Sequence, residues 1–150
     1  MSVFTIFKIA SEGMTAQRER LEAAAANLAN ANSTRSSDGT IYRRRDVVMN
    51  ATEISESWRS NAEKKGIFAD ESAAVGVSTE VKLADEDQYI QTYKPGHPDA
   101  DENGYVKMPN VQPLEETVNM MSAARSFEAN ATVFNTAKEL ARVSISLGDA

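Results

Sequence analysis

From Phe7 to Ala31 the chain reads FKIASEGMTAQRERLEAAAANLANA, and this stretch decides the fold class. Phe7, Met14, Leu21 and Leu28 recur every seven residues, and so do Ala10, Gln17, Ala24 and Ala31. Together they form the alternating three-four seam of a helix that packs lengthwise against other helices. The run Ala23 to Ala26 adds high helix propensity and carries small side chains to faces beyond the seam. Helices can therefore approach it closely on several sides. The pattern stops in Asn30-Ala31-Asn32-Ser33-Thr34-Arg35-Ser36-Ser37-Asp38-Gly39, a run of turn formers.

Outward from this stretch, glycine and proline divide the 150 residues into three segments. Residues 1–34 hold one Gly and no Pro, residues 35–110 hold five of the seven Gly and three of the four Pro, and residues 111–150 hold only Pro113 and Gly148. The spacing predicts a second long helix in the last segment. Pro113 suits its first turn, Glu115 and Glu116 complement the positive end of the helix dipole, and Gly148 supplies a stop. Val118, Met121, Ala124, Phe127, Ala131, Phe134, Ala141 and Ile145 recur at three- and four-residue steps, with a looser stretch around Lys138. The expected fold class is mainly α with a β-rich middle. The N- and C-terminal helices pair as a coiled-coil-like core, with a small strand and loop insertion between them.

In the middle, Thr40 to Met49 and Val75 to Leu83 read as strands, the second with good alternation, and Gln88 to Tyr93 is a weaker third. Tyr and Trp are confined here, as Tyr42, Trp58, Tyr89, Tyr93 and Tyr105. The first segment is electrically balanced, with three acids and three bases, whereas the middle carries fourteen acids and ten bases. Most of the negative charge therefore sits in the part expected to project outward.

The net charge of −6 disfavours general binding to nucleic acid or to an anionic membrane. With no cysteine there is no disulfide framework and no thiolate zinc site. The N-terminus Met1-Ser2-Val3-Phe4-Thr5-Ile6-Phe7-Lys8 lacks the charged start, long apolar run and cleavage site of a secretory signal, and no apolar stretch is long enough to span a bilayer. Composition alone would point to the cytoplasm.

The residues that look chemical have plainer readings beside them. Asp99-Ala100-Asp101-Glu102-Asn103-Gly104 matches the first half of a calcium-binding EF loop. Position twelve, which should be a bidentate Glu, is Asn110, and Pro95, Pro98 and Pro109 forbid the flanking helices. A hydrogen-bonded turn is the better expectation. His97 is the only histidine, and no partner set surrounds it for zinc or for nucleophilic catalysis. Arg43-Arg44-Arg45 could meet phosphates, but on a strand its members would face opposite sides, so pairing with acids of this chain or a neighbour is favoured. No Gly-rich phosphate loop occurs, and no enzymatic activity, cofactor or metal is expected.

Several stretches resemble a known family. Glu12-Gly13-Met14-Thr15-Ala16-Gln17-Arg18-Glu19-Arg20-Leu21-Glu22, running on to Asn27-Leu28-Ala29-Asn30, resembles the N-terminal signature of bacterial flagellar rod and hook axial proteins. That signature usually opens with serine where this chain has Glu12. Ala123-Ala124-Arg125-Ser126-Phe127-Glu128-Ala129-Asn130 is similar to the family's C-terminal helix motif, and Gly39 to Arg45 also fits. Tyr93-Lys94-Pro95-Gly96-His97-Pro98-Asp99, continuing to Val111, looks like the stretch that marks the proximal-rod branch of the family.

The resemblance implies a structural subunit of the periplasmic rod in the flagellar basal body. It implies export through the flagellar type III apparatus without a cleaved signal, which replaces the cytoplasmic default. Its partners would be copies of itself, other proximal and distal rod proteins, and the base adaptor joining the rod to the membrane ring. Neither nucleic acid nor direct membrane insertion is involved. Subunit packing is expected at Phe7, Met14, Gln17, Leu21, Leu28 and Asn30 of the first helix, and at Val118, Met121, Phe127, Ala131, Phe134 and Ile145 of the last. Tyr42, Arg43, Arg45 and His97 are expected at outer or lateral contacts. A soluble coiled-coil adaptor or chaperone, whose end helices pair within one stable molecule, is the alternative from another class.

Overall fold

A computed structural model describes residues 3–35, 39–53 and 75–148. In chain order the elements are helix α1 (Val3–Asn30), strands β1 (Arg45–Glu53), β2 (Val75–Leu83), β3 (Tyr89–Tyr93) and β4 (Tyr105–Pro109), and helix α2 (Pro113–Gly148). β1 is hydrogen-bonded to β2, and β3 to β4, in two separate two-stranded sheets. The described parts of 1–19, 49–80 and 123–150 make one compact unit, and those of 20–48 and 81–122 make another. Each unit draws on both helices and on strand residues. Trp58 lies outside the described residues.

Both helices run where the sequence places them, and their ends have local causes. The Asn30 Nδ2 donates to the Ala26 carbonyl at 2.8 Å, while the Ala31 and Ser33 amides bond three residues back to Leu28 and Asn30. Carbonyls that the last turn of α1 would leave unpaired are thus satisfied as the chain turns away. At the start of α2 the Glu116 amide bonds to the Gln112 carbonyl at 3.1 Å, and Pro113 sits in the first turn, where its missing N–H costs nothing.

The buried face of α1 differs from the heptad seam. Its fully buried residues are Thr5, Ala10, Ala16, Ala23, Ala24 and Asn27, with Ala31 just beyond the helix. Phe7, Met14, Leu21 and Leu28 are only half covered. Small side chains on the covered face admit close backbone approach. In the first unit a Cβ on Gly13 would lie 2.8 Å from the Asn130 amide nitrogen of α2, and the Phe7 and Phe134 rings meet at 4.8 Å. β2 is also drawn against α1 there. The Val77 amide donates to Glu12 at 3.1 Å, and a Cβ on Gly76 would run into the same carboxylate. Glu12, which stands where the resembled signature has serine, is therefore a structural residue.

β2 occupies the expected residues and β3 nearly so, but β1 begins at Arg45 rather than Thr40. The Tyr42, Arg43 and Arg44 side chains each reach a different partner, and the last backbone bond toward β2 is the one the Arg44 carbonyl accepts from the Ala84 amide at 2.8 Å. β4 was not foreseen, because its five residues end in proline and follow an apparent calcium-type loop. Pro109 occupies the terminal position opposite Tyr89, where a missing donor does least harm.

β3 and β4 are antiparallel, with Tyr93 opposite Tyr105, Gln91 opposite Lys107 and Tyr89 opposite Pro109 on one face. The two tyrosine rings meet edge-on at 5.3 Å, and the Lys107 ammonium lies 4.6 Å from the Tyr89 ring centre. On the other face Val106 is buried. The connecting loop is organised by Asp101. Its Oδ1 accepts the amides of Asn103 at 2.9 Å and Tyr105 at 2.8 Å, its own amide donates to the Tyr105 carbonyl, and its carbonyl accepts from Gly104. Gly104 has φ +82°, and a Cβ there would sit 3.0 Å from the Tyr93 ring, so only glycine fits comfortably. The EF-like string is a carboxylate-organised turn. Replacing Asp101 with alanine should destabilise this hairpin by about 1–2 kcal/mol. Faster amide exchange at Asn103 and Tyr105 is the expected readout, and unchanged protection there would refute this account of the loop.

Candidate functional site: a buried asparagine node and uncovered helix faces

In the unit formed by 20–48 and 81–122, one buried side chain gathers three segments. The Asn27 carboxamide oxygen accepts the Arg45 amide at 2.8 Å and the Tyr42 hydroxyl at 2.9 Å. Its nitrogen donates to the Arg45 carbonyl at 2.9 Å and to Glu116 Oε2 at 3.3 Å. A primary amide offers two donors and two acceptor lone pairs, and all four are used. Toward Arg45 it behaves as a neighbouring strand would, pairing with both the N–H and the C=O of one residue. α1, the chain entering β1 and the first turn of α2 are thereby joined.

Glu116 is 2% exposed and divides its oxygens between Asn27 and Arg44, whose Nε lies 2.9 Å from Oε1. The sequence assigns Glu116 only to the helix dipole, and tertiary folding adds a buried ion pair. A buried pair of this kind gives little net stability against an apolar substitute, but removing one member is costly because the other stays buried and charged. Burial and the Glu116 carboxylate raise the Tyr42 pKa above its ordinary 10.0, against an opposing effect of Arg45; burial is the largest of the three influences.

The arginine run is split by this arrangement. Arg43 donates through Nε to the Ala84 carbonyl at 2.6 Å and pairs with Glu86 at 3.3 Å. Arg44 pairs with Glu116 and, at 3.4 Å, with Asp46. Arg45 uses its main chain in the node and leaves its side chain exposed. His97 accepts the Asp99 amide on Nδ1 at 3.1 Å, so the neutral ring carries its proton on Nε2. Asp99 in turn accepts the Thr34 hydroxyl at 2.7 Å. Among the described residues, no three of His, Asp and Glu converge on a point that could hold a metal ion, and no helix is long and apolar enough to cross a membrane.

The residues assigned to packing fall into two groups. Phe7 and Phe134 meet each other, and Met14, Gln17, Leu21, Leu28 and Ala131 are half covered. The Asn30 side chain serves the helix end, bonding Ala26 and accepting from Ser33. Val118, Met121, Phe127 and Ile145 are exposed. They belong to a larger uncovered set along α2. Leu114, Val118 and Met121 share one face near its start, while Val133, Leu140, Val143 and Leu147 continue toward its end. Leu114, in the first turn of α2, is 78% exposed, and Leu147, in its last, 74%. The hydroxyls among them do not need water. Thr117, Thr132, Thr136, Ser144 and Ser146 each donate to a carbonyl one turn back in α2. The exposed side of α2 thus mixes these apolar side chains with charged ones such as Arg125, Glu128 and Glu139, while these hydroxyls bond within the helix.

Residues 7–35 match the family model described as Flagella basal body rod protein, and residues 102–147 match Flagellar basal body rod FlgEFG protein C-terminal. The chain is 42% identical to the flagellar basal-body rod protein FlgC of Escherichia coli O6:H1 over 153 residues, covering 99% of each. It is 35% identical to the FlgC of Borreliella burgdorferi, covering 98% of each, and 33% identical to that of Bacillus subtilis, covering 99% of each. The chain belongs to the FlgC family of flagellar basal-body rod proteins. The two matched regions hold Asn27 and Glu116 respectively, while Tyr42 to Arg45 of the node lie between them.

Sequence reading missed Asn27 as the centre of this arrangement. The available signal was a polar residue in the four-residue line Ala23, Asn27, Ala31, a face otherwise given to small apolar side chains. Asn27→Ala should lower stability by about 2–4 kcal/mol, since several partners are left buried and unsatisfied. Asn27→Asp should not restore it, because a carboxylate has no N–H for Arg45 and would lie against Glu116. Urea unfolding of the three proteins checks both expectations.

The raised Tyr42 pKa fixes a sign for alkaline behaviour. The unfolded chain loses the phenolic proton first, near the ordinary value of 10.0, while the folded chain retains it longer. The contribution is thus complete below 10.0 and is lost as pH rises through the higher folded value. Unfolding free energies across about pH 9–11 should fall more steeply for the parent than for Tyr42→Phe; parallel curves would remove Tyr42 from the account.

Proposed function

We propose that this chain, a structural subunit of the flagellar basal-body rod, builds the proximal rod by polymerising through its terminal helices, and that it transmits torque without catalytic activity. The carrying observation is the uncovered apolar surface of α2 in a chain related along almost its full length to rod proteins. Burying one large aliphatic side chain is worth about 1.5–3 kcal/mol, so a row of them supplies a strong drive toward association. The self-bonded Ser and Thr hydroxyls lower the polar cost of covering those residues.

In this reading the terminal helices form the inner packed layer with coiled-coil-like contacts, and Phe7, Met14, Gln17, Leu21, Leu28 and Asn30 meet neighbours together with Val118, Met121, Phe127, Ala131, Phe134 and Ile145. The described residues of the 35–110 segment form the outer surface, where Tyr42, Arg43, Arg45 and His97 make lateral contacts. Copies of the chain, other rod proteins and the base adaptor at the membrane ring are the neighbours. Head-to-tail contacts that do not close produce a helical filament, the geometry a rod needs. The subunit reaches the periplasm through the flagellar type III apparatus without a cleaved signal. Terminal helices that lack their neighbours bury little apolar surface, so they complete their packing only on assembly.

Leu140 tests the reading, being exposed on the outward face of α2. Leu140→Lys should change the unfolding free energy of the isolated chain by no more than about 0.5 kcal/mol. In flagellated cells carrying it as the only copy, rods should fail to incorporate the subunit and swimming should be lost. Normal rods and normal swimming would contradict the proposed use of this face.

A further inference from the structure

We propose that Asn103 is a site of spontaneous covalent modification, deamidation through attack by the Gly104 nitrogen, and that the Asp101 turn withholds this reaction until the β3–β4 hairpin opens. Asn103-Gly104 is the only Asn–Gly step in the chain. The side-chain Cγ of an asparagine lies one ring closure from the backbone nitrogen of the next residue, and glycine, lacking a Cβ, shields that nitrogen least. In the reaction the Gly104 nitrogen gives up its proton and bonds to Asn103 Cγ, while the Cγ–Nδ2 bond breaks. The Nδ2 group leaves with that proton as ammonia. A cyclic succinimide remains, and water opens it at either carbonyl. One opening gives aspartate and the other isoaspartate, in which the main chain runs through the side-chain carbon. No oxidant, enzyme or cofactor enters the balance. Asn103 is exposed, so water reaches the site.

The folded turn opposes each part of this step. The Gly104 N–H, whose proton must leave, donates to the Asp101 carbonyl at 2.9 Å. The Gly104 carbonyl accepts the Lys94 amide at 2.8 Å, so the glycine is held from both ends. Asp101 Oδ1 binds the amides of Asn103 and Tyr105 at 2.9 and 2.8 Å, which fixes the backbone on either side of the reacting peptide. A carboxylate in the same turn also disfavours the anion that the Gly104 nitrogen would become. Ring closure needs that nitrogen to leave the Asp101 carbonyl and reach Asn103 Cγ, so it requires local opening of the hairpin, and its rate follows the open population. The change is one-way. Isoaspartate lengthens the main chain by a carbon between the Asn103 and Tyr105 amides, which Asp101 Oδ1 then no longer binds together.

Peptide mapping by mass spectrometry of the full chain, held in a mildly alkaline buffer, follows the loss of ammonia at Asn103. The folded parent should react at least about fivefold more slowly than the same chain in urea. Asp101→Ala should speed the reaction of the folded chain by about 5–30-fold, the rise in open population that the weakened turn implies. Asp101→Asn keeps an oxygen that accepts both amides, and it should stay close to the parent. In urea all three chains should react alike, which separates the fold from any direct effect of the neighbouring side chain. Equal rates for the parent folded and in urea would overturn the proposal, even if Asp101→Ala fails to fold. So would an Asp101→Asn chain as fast as Asp101→Ala, or a difference between the variants that persists in urea.

Discussion

A single carboxamide, that of Asn27, sets the geometry in which α1, the entry to β1 and the start of α2 meet. Burying an amide without partners costs about 1–3 kcal/mol, so the residue is tolerable only when its partners stand in one arrangement. Those partners come from positions far apart in the chain: Tyr42, the main chain of Arg45, and Glu116. Glu116 in turn needs a cation, which Arg44 provides. The four-way satisfaction of Asn27 is a condition for specificity more than a source of large net stability. The small residues on the same face of α1, Ala23, Ala24 and Ala31, let the backbones come near enough for the bonds to form.

This economy of small buried residues has a consequence for the large ones. A face lined with alanine buries little apolar area per turn, so the bulky aliphatic residues of α2 are left outside it. An isolated chain with this distribution holds much of its potential hydrophobic stabilisation in reserve until neighbours arrive. Membership in the FlgC family gives that reserve an address, the basal-body rod. The Thr132 and Thr136 hydroxyls of α2 are bonded to their own helix, which lowers the cost of covering them.

The strand-bearing residues serve different ends from the helices. In the unit with Val106 at its centre, the β3–β4 hairpin is shaped by backbone bonding around Asp101 and by the glycine at 104, and it presents tyrosines and a lysine on its outer face. Specificity in the arginine run also emerges here. Identical side chains at 43, 44 and 45 acquire three different environments because each leaves the backbone toward a different neighbour.

Much was legible from local pattern. Helical periodicity over residues 7–31, the Pro113 start and Gly148 stop of α2, and the alternation of Val75 to Leu83 depend on intrachain spacing and on residue chemistry, and the elements stand there. The motifs around Gly13-Met14, Pro95-Gly96-His97-Pro98 and Ala123 to Asn130 carried the family as well. Other features could not be read, for a common physical reason: they are decided by which distant groups meet. The Tyr42, Arg43 and Arg44 side chains turn to distant partners just before β1 starts, and pairing with β3 turned Tyr105 to Pro109 into a strand. Folding made a buried centre of Asn27, to which local pattern assigned no separate role, and of Glu116, read only as complementing the helix dipole. A sequence specifies which residues prefer a helix or a strand through neighbours a few positions away; whether a polar group is buried with its partners depends on contacts across the whole chain, and only the tertiary structure decides that.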